Sequence, residues 1–152
     1  MTMKQVLCAT AVGMVLCAQP ASAEVPAGMV KTANGTVNIE RSGQKLAAAV
    51  GTPVYQSDRL RTGGDGSVGV TLRDQTILSA GPNSLVAVDK FNFDNTTQAG
   101  AISILIRKGT LLVASGRIAK QTPESVDFHT PTSVLGVRGT EFVIEVDGSD
   151  DE

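Results

Sequence analysis

Tryptophan is absent from this 152-residue chain, and tyrosine occurs once, histidine once, cysteine twice and phenylalanine four times. Each shortage removes a class of function. Domains that hold sugars or single-stranded nucleic acid present flat rings for stacking, and Tyr55, Phe91, Phe93, Phe128 and Phe142 are too few to build such a platform. Both cysteines, Cys8 and Cys17, lie near the N-terminus within an apolar leader, so the remainder has no thiol for a disulfide or a cysteine metal site. The single His129 excludes any zinc site that relies on several imidazoles, and no cysteine stands beside it as a nucleophile. Positive charge is also scarce. The 13 basic residues are outnumbered by 15 acidic ones and are scattered singly or in short pairs such as Arg107-Lys108, so nucleic acid is not an expected partner.

The leader has the parts of an export signal. Lys4 is the positive start, Val6 to Ala18 form an apolar run broken only by Thr10 and Gly13, and Gln19-Pro20 interrupt it before Ala21-Ser22-Ala23. That triplet fits an A-x-A cleavage site, with the cut between Ala23 and Glu24. The apolar run is too short for a membrane-spanning helix, which takes about 20 residues. The expected destination is the periplasm or the exterior. Lipid attachment at Cys17 is the alternative, and bulky Leu16 before it argues against that route. Residues 24–146 are then one domain and residues 147–152 an acidic tail, read as solvated, with calcium binding as the sharper alternative.

The dominant pattern beyond the leader has period two, as in a strand with one buried face. Val37 and Ile39 alternate with polar neighbours; so do Val68, Val70 and Leu72, and Phe142, Ile144 and Val146 alternate with Glu141, Val143 and Glu145. The runs Leu85–Val88, Ile102–Ile106 and Leu111–Ala114 are apolar on both parities, as expected for strands covered on two faces. Gly63-Gly64-Asp65-Gly66, Gly81-Pro82-Asn83-Ser84, Asp94-Asn95 and Ser115-Gly116 punctuate them as turns. Gln44 to Val50 has a helix-friendly composition but is too short for more than one turn. A Gly-Thr/Ser-apolar triplet recurs at Gly35, Gly66 and Gly109, and with an insertion at Gly139, at unequal spacing. The expectation is an all-β domain with an aliphatic core, either a solenoid-like roll or a β-sandwich.

No constellation of catalytic groups emerges. On the alternation of Val126 and Phe128, His129 points away from the apolar face. Asp58, Asp65, Asp74, Asp89, Asp94 and Asp127 lie mostly at turns, where an aspartate caps nearby backbone. Gly63-Gly64-Asp65-Gly66 lacks the Lys-Ser/Thr of a phosphate loop. No catalytic residue, cofactor or metal is expected.

Several segments in order resemble the FecR periplasmic domain family. They are Gly35-Thr36-Val37, Ser57-Asp58-Arg59-Leu60-Arg61-Thr62-Gly63, Ser67 through Leu72 followed by Asp74, Gly81-Pro82-Asn83-Ser84 and Lys108-Gly109-Thr110-Leu111. The most specific piece runs from Thr130-Pro131 through Val137-Arg138-Gly139-Thr140 to Phe142. The resemblance implies an all-β envelope domain engaged in signalling, which in relatives contacts the signalling domain of a TonB-dependent receptor and controls a sigma factor. The chain departs from that plan. It shows no cytoplasmic segment or spanning helix ahead of the domain, and no further strand after Val146, so an open sheet edge is expected. Arg138 offers a five-donor fork between Gly136 and Gly139, either to bridge strands near Asp58 or to face a partner. The expected function is a non-catalytic protein–protein interaction module of the cell envelope, its partner an envelope protein, such as a receptor signalling domain, or a second copy of itself. The alternatives are a structural or adhesive envelope subunit, and an enzyme or ligand-binding domain built on paired carboxylates.

Overall fold

A computed structural model describes residues 24–137 and 140–148. The expected leader with its expected cleavage after Ala23, Cys17, Arg138, Gly139 and residues 149–152 lie outside the described residues. The strands are β1 (Gly28–Asn34), β2 (Val37–Arg41), β3 (Gln44–Ala47), β4 (Pro53–Val54), β5 (Arg59–Thr62), β6 (Ser67–Leu72), β7 (Ile77–Ala80), β8 (Leu85–Phe93), β9 (Gly100–Ala114), β10 (Val126–His129), β11 (Val134–Gly136) and β12 (Glu141–Val146). A short helix, α1 (Arg117–Gln121), and a 3-10 turn at Pro123–Ser125 lie between β9 and β10.

The strands join into one sheet ordered β3-β2-β5-β8-β9-β7-β6-β1-β4, with β10 and β12 on the other side of β9 and β11 beyond β10. The sheet curls into a half-barrel, which agrees with the all-β expectation. Period two explains the curl's inner surface: Val37, Ile39, Val68, Val70, Leu72 and Ile144 are all buried in one aliphatic core.

The organising strand is β9. Its first part pairs antiparallel with β8 and parallel with β10, while its last part, from Gly109 to Ala114, pairs with β7 and β12. Ile102, Ile104 and Ile106 point into the core before the turning point, and Leu111 and Val113 do so after it. The parity therefore switches between Ile106 and Leu111. The register with β8 shifts between Leu85 and Val86, and Gly109 adopts φ 93°, a left-handed value suited to glycine. This corrects the reading of Ile102–Ile106 and Leu111–Ala114 as covered on both faces: each alternates between buried and half-buried positions. It also breaks the recurrence of the Gly-Thr/Ser-apolar triplet at strand starts, because Gly109-Thr110-Leu111 lies within a strand and starts none. Leu85–Val88 is buried on both parities as expected.

Gln44–Ala47 is a strand, not a turn of helix. Ser42 and Gly43 both have positive φ, 50° and 78°, which makes a tight two-residue hairpin and returns the chain antiparallel from Arg41 to Gln44. The helix lies elsewhere, where β10 must run parallel to β9 and a crossover is needed. Its short span is held by Ile118, which is buried in the core, and by Asp74 from the β6–β7 turn. The Ile118 N–H donates to Asp74 Oδ2 at 3.3 Å, and the Arg117 N–H to the Asp74 carbonyl at 2.8 Å. A distant aspartate thus supplies the acceptors that the free N–H groups of a helix start require.

Candidate interaction edge

The described residues of the specific piece from Thr130 to Phe142, the signature, divide between the two halves of the curl. Thr130, Pro131 and the two residues after them form the loop between β10 and β11. The Thr130 N–H donates to the Ser133 carbonyl at 2.8 Å, and the Ser133 N–H to Thr130 Oγ1 at 3.0 Å. Pro131 is exposed, so its missing donor costs nothing there. In β11, Val134 pairs with His129 and Leu135 with Phe128; these two apolar residues are 64% and 39% exposed. Val137 packs against the core. Thr140 is exposed, and its carbonyl accepts a hydrogen bond from the Ser115 N–H at 2.7 Å.

Phe142 is the signature's inward anchor. Its ring meets that of Phe128 edge to face, with centroids 5.1 Å apart and planes at 81°. Since β10 pairs with the first part of β9 and β12 with the last, this contact ties the two halves together. His129 stays half-buried on the face opposite Val126 and Phe128, as the alternation predicts.

Beyond this anchor, β12 presents a strand edge. Its residues pair from Glu141 opposite Ala114 to Val146 opposite Gly109, and among the described residues β9 is its sole strand neighbour. Glu141, Val143 and Glu145 project outward and are exposed, with Val143 59% exposed. Phe142 and Val146, on the inner side, are half-buried where the core ends. Gly148 sits directly against Lys108, beside the β9 residue that precedes Gly109. The end of β12 also borders a surface groove of about 460 Å³ lined by Pro82, Asn83, Lys108, Glu145 and Asp147 among others.

The aspartates do more than close turns. Asp94 caps its own loop, accepting from the N–H groups of Thr96 and Thr97. Asp74 is fully buried, taking the Thr76 N–H at 3.0 Å and Thr76 hydroxyl at 2.7 Å as well as the helix N–H. Asp58 is 1% exposed and forms a two-pronged pair with Arg41, whose Nε and Nη2 donate at 2.8 and 2.6 Å. The Tyr55 N–H completes the site at 2.9 Å, and the Arg41 guanidinium lies 4.5 Å from the centre of the Tyr55 ring. The hydrogen bond to Asp58 raises the Arg41 pKa above its already high ordinary value. Sequence reasoning missed Arg41 as the partner of Asp58; the Ser42-Gly43 turn beside it was the available signal. Among the described residues, no group of three or more His, Asp or Glu is placed to hold a metal ion. No helix among them is long and apolar enough to cross a membrane.

These features define a curled all-β domain whose specific residues build a strand edge. The pattern that defines the FecR family, described as FecR protein, matches residues 58–152, and the chain belongs to that family. The match begins at Asp58, just before β5, and takes in every later strand, including the signature. No curated protein and no solved structure matches the chain.

Proposed function

We propose that this FecR domain is a non-catalytic interaction module of envelope signalling, acting outside the inner membrane and attaching to another envelope protein through the strand edge that its signature builds. The observation that carries this reading is β12: an edge strand with one neighbour among the described residues, anchored by Phe142 and presenting exposed Val143. Exposed strand edges offer unpaired backbone groups to another chain, which is the physics of strand addition. The two most buried aspartates support a scaffolding role, since the partners of Asp58 and Asp74 are internal. Residues 1–23 act as a leader removed after Ala23, residues 24–146 form the domain, and residues 147–152 a solvated tail.

The test is affinity capture from an envelope extract with the whole chain and with a Val143→Lys variant of unchanged thermal stability. Recovery of a receptor by the first and its loss with the second supports the reading. Equal recovery by both, or recovery of matrix components alone, turns it toward a structural or adhesive subunit. Mass spectrometry of the exported protein checks the leader: a mature N-terminus at Glu24 supports cleavage after Ala23, and a lipidated Cys17 rejects it.

A further inference from the structure

We propose that the free edge of β12 receives an extended segment of another protein carrying two basic residues four positions apart with aliphatic or β-branched residues between them. The inference rests on the interaction-module reading and adds the chemistry of the partner. It follows from the two sides of one strand. On the inner side, Phe142 and Val146 are half-buried and Ile144 is buried, so the apolar surface runs out to the edge and stops there. An added strand extends that surface only if its inward side chains are apolar.

On the outer side stand Glu141, Val143 and Glu145, at alternate positions. Residues directly opposite each other on neighbouring strands interact, favourably for opposite charges and unfavourably for like ones. An incoming strand therefore fits best with a cation opposite Glu141, an uncharged β-branched residue opposite Val143 and a second cation opposite Glu145. The acidic character continues at Asp147, which is exposed, and extends the preference past the strand's end.

The same pattern disfavours a second copy of this chain. Antiparallel self-pairing that keeps the apolar sides together has two registers of longest overlap. One sets Glu141 opposite Glu145, and the other sets Glu141 opposite Asp147. The first places two acid pairs within the new ladder, and the second places Glu141 against Asp147 just past each end of it, a device by which edge strands avoid their own kind. The edge is selective for a basic partner.

The experiment titrates the whole chain with the synthetic peptide Ser-Lys-Val-Thr-Val-Lys-Ser, following backbone amide signals by NMR. A second peptide carries Glu in place of both Lys, and a third is N-methylated at alternate amides. The expected result is shifts centred on the amides of β12 with the first peptide, binding weakened about ten-fold with the Glu peptide, and loss with the N-methylated one. The exposed double variant Glu141→Lys/Glu145→Lys, checked for unchanged melting, reverses the preference between the two charged peptides. Equal binding of both peptides, silence of the β12 amides, or a concentration-dependent dimer through β12 overturns the proposal. If an envelope receptor is still captured and the double charge variant captures it equally, this inference fails while the interaction-module reading stands; if no receptor is captured, that reading fails as well.

Discussion

The rings of Phe128 and Phe142 meet edge to face at 5.1 Å, although their strands pair with opposite halves of β9. One lies before the signature loop and the other closes the signature. The contact therefore holds the edge strand β12 against the half of the curl that carries β10. Its energetic content lies in ring geometry beyond simple burial, which for such pairs is about 1 kcal/mol. Phe128→Leu and Phe142→Leu are each expected to destabilise the domain, and the double variant to be about 1 kcal/mol less destabilised than the two effects added together. Urea unfolding of the four proteins measures this. Strict additivity would show that the rings are merely neighbours.

Gly109 governs the other means by which the halves are brought together. At φ 93° its backbone suits glycine, and an added Cβ would crowd the Oγ of Ser84 and come within 2.5 Å of the Ser84 Cα. Ser84 cannot yield easily. It is buried, its N–H donates to Thr62 Oγ1 at 2.8 Å, and its own Oγ accepts from the Thr110 N–H at 3.1 Å. Gly109→Ala is expected to cost about 3 kcal/mol, the combined effect of a disfavoured φ and a backbone clash. Thermal unfolding reads the loss, and a variant that melts with the parent would mean that β9 can bend elsewhere.

The alternation of side chains made most strands legible, because one face of the sheet is buried along nearly all of its length. Legibility failed where a local feature served a distant partner. Gln44–Ala47 has helical composition, yet the positive φ of Ser42 and Gly43 commits it to pair with β2, and tertiary pairing overrides weak propensity. The run of apolar residues in β9 hid a parity switch, since a bulge and Gly109 turn the strand over without any polar interruption. Asp74 was readable as a turn residue through Thr76, but its second task, the start of α1, depends on a residue far along the chain. For the site, the signature was visible as a string. Its division between the loop after β10, the edge strand β11 and the anchor of β12 was not, because spacing does not reveal that β10 and β12 pair with different parts of the one long strand β9.

The pair of Arg41 and Asp58 ties the end of β2 to the Tyr55–Asp58 turn, and Arg41 Nη2 also reaches the Pro53 carbonyl at 3.1 Å. Removing the cation leaves a carboxylate that is 1% exposed and still accepts from the Tyr55 N–H. The Arg41 side chain is 32% exposed, so solvent weakens the pair below the range for full burial. Arg41→Met is expected to cost about 2–3 kcal/mol. Asp58→Asn in the Arg41→Met background should recover part of that loss by removing the stranded charge. Chemical denaturation of the single and double variants decides it; no recovery would mean that lost packing on Tyr55 is the main cost.

Asp65 gives the fold a dependence on acid. Its Oδ1 accepts the Thr36 N–H at 3.3 Å, and that hydrogen bond to the charged carboxylate holds its pKa below the ordinary aspartate value. The folded pKa therefore lies below the unfolded one. The contribution is complete above the unfolded value and disappears as pH falls through the folded value, so it belongs to the acid limb of the stability curve. In Asp65→Asn that part of the dependence is expected to vanish: the variant is less stable than the parent near neutrality, and the two converge once pH is below both values. Because Asp65 is exposed and its partner lies in the β1–β2 turn at Gly35, the convergence should come without change in the rest of the domain. Denaturation at a series of pH values, with an NMR titration of the Asp65 carboxyl, follows both quantities. A constant gap between variant and parent down to the lowest pH would show that the hydrogen bond to Thr36 does not depend on the charge.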